Sequence, residues 1–162
     1  MSDAAWQKAM DLLLAASQEQ ARQATKQGAE EIRDIARARL NEKSHERYTF
    51  SPSGPGEPPA RIDGNLSDSM TAQMVSADEA WVGPTGGYGR TEEYARIQEL
   101  GGTMEGHPWM LFFLEGAWWE RRFIELPPRP YLAPSTDDVV DSGRLTEIYF
   151  EHQLQAIMEA TG

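Results

Sequence analysis

The chain has 162 residues, 40% hydrophobic and 25% charged, which suits one soluble globular domain with a core of its own. Cysteine is absent, so there is no disulfide framework, thiol nucleophile or cysteine metal site, and three scattered histidines leave little for any other metal centre. The net charge of −11 lies wholly in residues 51–162, with eighteen acidic against seven basic residues, which argues against a binder held to nucleic acid by phosphate contacts.

Residues 3–48 read as helix. Apolar or small residues recur at Trp6, Met10, Leu13, Ser17, Ala21, Ala24, Gly28, Ile32 and Ile35 in steps of three and four, and Ser2 or Asp3 is placed to cap the start. The stripe is strong as far as Leu14 and then thins to alanine and glycine, with Gly28 the weak point. About 45 helical residues would extend roughly 67 Å, against a diameter near 40 Å for a compact domain of this length. The helix must therefore break near Gly28 or project onto another subunit. No run approaches the ~18 apolar residues of a membrane span, and no basic-then-apolar leader opens the chain, so synthesis inside the cell is expected.

The segment 51–59, SPSGPGEPP, is incompatible with helix or central strand and reads as a mobile loop. Asp63 or Asn65 then caps a short helical turn that carries Leu66 and Met70 inward. Two short strands follow, 71–76 and 80–83. The glycine-rich stretch Gly83 to Gly89 with Arg90 lacks the lysine and spacing of a phosphate loop and reads as a connection. A middle helix from Thr91 or Glu92 ends at Gly101, with Tyr94, Ile97 and Leu100 toward the core. Strands 109–114 and 118–126 form a tryptophan-rich hairpin around Glu115-Gly116-Ala117, and doubled apolar residues at Phe112-Phe113 and Trp118-Trp119 suggest cover on both sides. After the proline-rich segment 127–134, Ser135 caps a C-terminal helix over 135–160 that Gly143 can bend. The fold class is α+β: a long N-terminal helix over 1–50, then a domain over 51–162 with a small antiparallel sheet of about four strands, a short middle helix and a C-terminal helix.

The residues nominate no chemistry. Asp137, Asp138 and Asp141 resemble capping groups more than a calcium site. His45, His107 and His152 lack a nucleophile or carboxylate partner in sequence, and no serine sits in a G-x-S-x-G elbow. Accordingly no catalytic, cofactor-binding or metal-ligating residue is assigned. Trp109, Trp118, Trp119 and Arg121 suit a protein interface rather than a base-stacking platform, because the surrounding glutamates deny it a basic groove.

The order of short motifs carries more. Gly64-x-Leu66-x-x-Ser69 is followed by Tyr94-Ala95-x-x-x-Glu99-Leu100-Gly101, then the hairpin, then Pro128-Arg129-Pro130-Tyr131-Leu132-x-Pro134 and the terminal helix. This ordered set, over about residues 55–160, resembles the neck and tail-completion proteins of tailed double-stranded-DNA bacteriophages, the head–tail connector, minor tail and morphogenesis proteins. The hairpin 104–126 is long and rich in tryptophan against the family pattern, and the N-terminal helix is longer than the family core needs. The resemblance implies a structural virion protein at the head–tail junction, made in the host cytoplasm. It implies a homo-oligomeric ring, commonly six-fold, stacked between head-closure or portal-side proteins and the tail terminator or tail tube. DNA would pass through without specific binding, and no catalysis or cofactor is implied. Within it Tyr94, Glu99 and Gly101 would fix the middle helix, Arg129 would pair with Glu99 or a neighbouring subunit's carboxylate, and Tyr131 and Leu132 would seat the C-terminal helix. The alternatives are a tail terminator of the same neck and an acidic module that mimics the charge of DNA.

Overall fold

A computed structural model describes residues 3–85 and 91–161. The expected cap at Ser2 and the glycine-rich connection from Gly86 through Arg90 lie outside the described residues. The order of elements is α1 (Asp3–Leu40), α2 (Asn65–Ser69), β1 (Met70–Met74), β2 (Ala80–Pro84), α3 (Thr91–Leu100), β3 (Gly102–Leu114), β4 (Ala117–Leu126), α4 (Leu132–Asp141) and α5 (Arg144–Thr161). The class is α+β. The strands make two separate two-stranded sheets, β1–β2 and β3–β4, rather than one sheet of four.

The chain divides into two compact units. The first comprises residues 1–32, 72–82 and 136–162, the second residues 33–71 and 83–135. Helix α1 is continuous through Gly28 for 38 residues, about 57 Å. Its alanine, glutamate, glutamine and arginine content favours helix strongly enough to carry one glycine. It stops at Leu40, eight residues short of the expected end, because Ser44-His45 leaves the helix to bridge Arg61, and Tyr48-Thr49-Phe50 are poor helix formers.

In the first unit α1 and α5 lie side by side. Ser17 donates to Gln153 at 2.8 Å, Thr25 and Tyr149 share a hydrogen bond at 2.6 Å, and Arg144 reaches Glu31 at 3.1 Å. The core is small: Ala24, Ala29, Val139, Ile148 and Ala156. At Gly28 the two helices lie close, since a β-carbon there would stand 2.7 Å from Leu145 Cδ1. The burial inverts the hydrophobic stripe. Its first residues, Trp6 at 57% and Met10 at 44%, are exposed and Leu13 is half-buried, whereas Ala24 and Gly28 further along are packed. The unit also holds most of the charge: four basic residues against thirteen acidic, compared with eleven against thirteen in the second unit.

In the second unit Ala36, Leu40, Ala60, Met70, Ala95 and Tyr131 form the core. Helix α3 buries Thr91, Ala95 and Gln98, spaced by four and three, whereas the expected core residues Tyr94 and Leu100 are 46% and 66% exposed. Gly101 ends the helix as expected, with φ of 70° and its N–H donating to Ile97 O at 2.8 Å. A side chain there would also strike Leu126 O and Pro128 N, each 2.8 Å from the site of a β-carbon. Neither Asp63 nor Asn65 caps α2: Gly64 occupies that position without a side-chain bond, and Asp63 is engaged by Arg47 instead.

The segment 51–59 is packed rather than loose. Gly56 N donates to Pro128 O at 2.9 Å, Lys43 reaches Glu57 at 2.6 Å, and Ser53 and Pro59 are buried. The expected single C-terminal helix is two, separated at Ser142-Gly143, where Gly143 takes a φ of 78°.

Candidate functional site

The residues singled out from the sequence fall into two groups within the second unit. Trp109, Trp118, Trp119 and Arg121 lie on the β3–β4 hairpin. Tyr94, Glu99, Arg129 and Tyr131 lie where α3 meets the start of α4.

The second group is organised by Glu99. Its Oε2 accepts from Tyr131 N at 2.9 Å and Leu132 N at 3.1 Å, and its Oε1 accepts from Ala133 N at 2.9 Å. The next residue, Pro134, has no N–H. Every backbone donor at the start of α4 is thereby met or missing, and the negative charge lies at the positive end of the helix dipole. This moves the helix start to Leu132. Ser135, expected as the cap, sits one turn inside, with its hydroxyl donating to Tyr131 O at 2.5 Å.

Glu99 is thus turned to the backbone, and the expected ion pair with Arg129 does not form. Arg129 is held through its backbone, N–H to Gln98 O at 2.7 Å, and its Nε is enclosed without a partner. Tyr131 is 2% exposed, and burial pushes its phenol well above the ordinary tyrosine range, with the charges of Glu99 and then Tyr94 adding to the effect. Desolvation also raises the Tyr94 phenol, although 46% of the residue is exposed, and the Arg129 charge opposes the shift.

The hairpin turns through Glu115-Gly116 alone, both at positive φ (51° and 76°). This is the two-residue turn whose twist matches that of the flanking strands, and Ala117 belongs to β4. The register pairs Leu114 with Ala117, Phe113 with Trp118, Phe112 with Trp119 and Met110 with Arg121, and slips between Glu105 and Met110. One face therefore carries Phe112, Trp119, Arg121 and Phe123, the other Leu111, Phe113, Trp118 and Glu120. Arg121 lies over the Trp119 ring at 5.2 Å, and Phe113 meets Trp118 edge to face at 5.4 Å. Trp109 falls in the slipped stretch, beside a recess of about 260 Å³ that Arg122 and Phe123 also line.

Both faces are open. Trp118 is 68% exposed, Leu111 66%, Phe123 59% and Trp109 57%. The tip is tied by three contacts that the sequence reading assigned to a helix end. Glu115 N donates to Tyr48 O at 2.8 Å, Phe50 N donates to Glu115 Oε1 at 3.0 Å, and the Tyr48 ring packs against Phe113 at 6.0 Å. The β-forming, helix-poor run Tyr48-Thr49-Phe50 was the available signal for them.

A groove of about 400 Å³ runs between Leu40, Arg61, Leu66 and Tyr94 in the same unit. Among the described residues, no group of three or more histidine and acidic side chains is placed to hold a metal ion, and no helix is long and apolar enough to cross a membrane. Comparison with protein-family models, with curated proteins and with solved structures finds no match.

Proposed function

We propose that the chain is a structural protein of the tailed-phage neck, forming a homo-oligomeric ring, six-fold in the expected arrangement, that joins the DNA-filled head to the tail and surrounds the DNA passage. The observation that carries this reading is the β3–β4 hairpin. Its strands of 13 and 10 residues bear large apolar side chains on both faces, and contacts from Tyr48 to Phe50 hold its tip. Two-stranded hairpins are marginal in water, and apolar patches of this kind mark surfaces that another chain covers. A ring neighbour supplies that cover.

Two further features support the reading. Glu99 couples the tyrosine–glutamate motif to the arginine–proline motif, so residues distant in sequence but ordered as in the neck proteins act as one joint. The acidic excess of the first unit suits a wall past which DNA slides without sticking. That same excess favours a second reading, an acidic module that occupies a basic protein in place of DNA.

One genetic experiment separates them. Deleting the chain from a phage that encodes it should yield filled heads and free tails that do not join, with joined particles restored by complementation. Normal virions from the deletion would refute the neck reading and leave the charge mimic.

A further inference from the structure

The outer edge of β4 is exposed backbone in the second unit. Among the described residues strand β4 pairs with β3 alone, and every residue from Ala117 to Phe123 is exposed. The two-residue turn makes Leu114 and Ala117 a hydrogen-bonded pair, so along β4 the N–H and C=O groups of Trp118, Glu120 and Arg122 point away from β3. No proline interrupts that stretch, and its charges, Glu120, Arg121 and Arg122, are of both signs and so able to pair with those of another strand. The chain meets one of these groups with its own side chain: Arg121 Nη1 donates to the Glu120 carbonyl at 2.9 Å.

We infer that β4 is the contact surface for a second copy of this chain, the two strands pairing antiparallel about a two-fold axis at Arg121 to make one four-stranded sheet. Antiparallel pairing sets outward-pointing residues opposite one another and inward-pointing residues opposite one another. A centre at Glu120 would oppose two glutamates, and a centre at Arg122 would set Trp119 against Glu125. With the centre at Arg121, Glu120 faces Arg122 of the second copy, and the symmetry repeats the ion pair. Trp119 then faces Phe123, and Trp118 faces Ile124, each also twice. In this register Trp118-Trp119-Glu120-Arg121-Arg122-Phe123-Ile124 matches its own reverse at every position but the axis; a centre at Glu120 also opposes like charges at its axis and forms no ion pair, with Trp118 and Trp119 set against Arg122 and Arg121. The two Arg121 side chains meet at the axis, where each is drawn aside over its own Trp119 ring. The pairing uses an edge, whereas a ring neighbour covers a face, so this inference goes beyond the neck reading and stands or falls without it.

The test uses the full chain in solution. Light scattering coupled to size exclusion should give twice 18.1 kDa at micromolar concentration. Arg122→Glu sets like charges together at both ends of the pairing and should weaken the dimer at least about 10-fold. The exchange Glu120→Arg with Arg122→Glu should restore it, a rescue that general damage to the hairpin would not show. The chain has no cysteine, so Arg121→Cys reports the register directly. Residues facing across the axis as a non-hydrogen-bonded pair have Cα atoms ~4.5 Å apart, within disulfide range. Oxidation should link two copies, and Leu111→Cys on β3 should not. These positions are exposed, and an unchanged far-ultraviolet circular dichroism spectrum verifies folding. A monomeric parent chain, failed rescue by the exchange, or a ring-sized particle in which Arg121→Cys stays unlinked would overturn the inference.

Discussion

Replacing Glu99 tests whether the joint between α3 and α4 is a helix cap. The carboxylate accepts three backbone N–H bonds between 2.9 and 3.1 Å at the positive end of α4. A hydrogen bond to a charged group contributes about 1.5–3 kcal/mol where water cannot replace it, and loss of an ordinary N-cap costs about 0.5–2 kcal/mol. Glu99 is half-buried and Ala133 is exposed, so water recovers part of the loss. Glu99→Ala should therefore destabilise by about 2–3 kcal/mol, since Tyr131 is enclosed and its N–H has no easy access to solvent. In a chain of this length that lowers the melting temperature by roughly 4–12 °C. Glu99→Gln keeps one acceptor oxygen and loses the charge, and should cost about half as much. Urea unfolding, followed by tryptophan fluorescence and by circular dichroism, measures both. An alanine variant within ~0.5 kcal/mol of the parent would refute the cap.

Three further outcomes follow from the packing and the charges. Gly28→Ala should be close to neutral, because the flexible end of Leu145 can yield and alanine gains about 1 kcal/mol of helix propensity, whereas Gly28→Val should cost about 1–3 kcal/mol in thermal unfolding. Leu14→Ser should leave stability within ~0.5 kcal/mol while Ala24→Leu costs about 1–3 kcal/mol, the reverse of what their hydrophobicity suggests; equal effects would contradict the observed burial. The third outcome is acid sensitivity. The Arg33 guanidinium holds the Asp34 carboxyl below its ordinary range, Lys43 and then the Gly54 N–H do so for Glu57, and Arg47 does so for Asp63. A depressed folded-state value gives stability that is present above the unfolded value, near pH 4, and lost as pH falls through the folded one. Melting temperature should therefore drop below about pH 4, less steeply in high salt, and an unchanged melting temperature down to pH 3 would refute these pairings.

Local signals in the sequence were sufficient where the physics is local. The helical composition of α1, the cap at Gly101 and the hairpin at Glu115-Gly116 all rest on neighbouring residues, and each is found. Burial was not local. Trp6 and Met10 open the strongest part of the stripe yet lie exposed, because α5 packs against the small residues around Gly28, where the helices can come close. The start of α4 was misplaced because its cap comes from Glu99, 32 residues before Tyr131, and no pattern of adjacent residues announces such a cap. The number of strands per sheet depends on long-range pairing, and here β1–β2 and β3–β4 form two separate sheets. Of the candidate site, the tryptophan-rich hairpin itself was legible, since its strands and turn rest on neighbouring residues. Tyr48 was not, because a helical reading of residues 3–48 absorbed it, and Phe50 fell between that helix and the proline-rich loop at 51.

The most direct measurement is immunogold electron microscopy of phage particles assembled with this chain carrying a tag after Gly162. The neck account expects label at the head–tail junction, one cluster per virion. Label absent from intact and disrupted virions alike would contradict it.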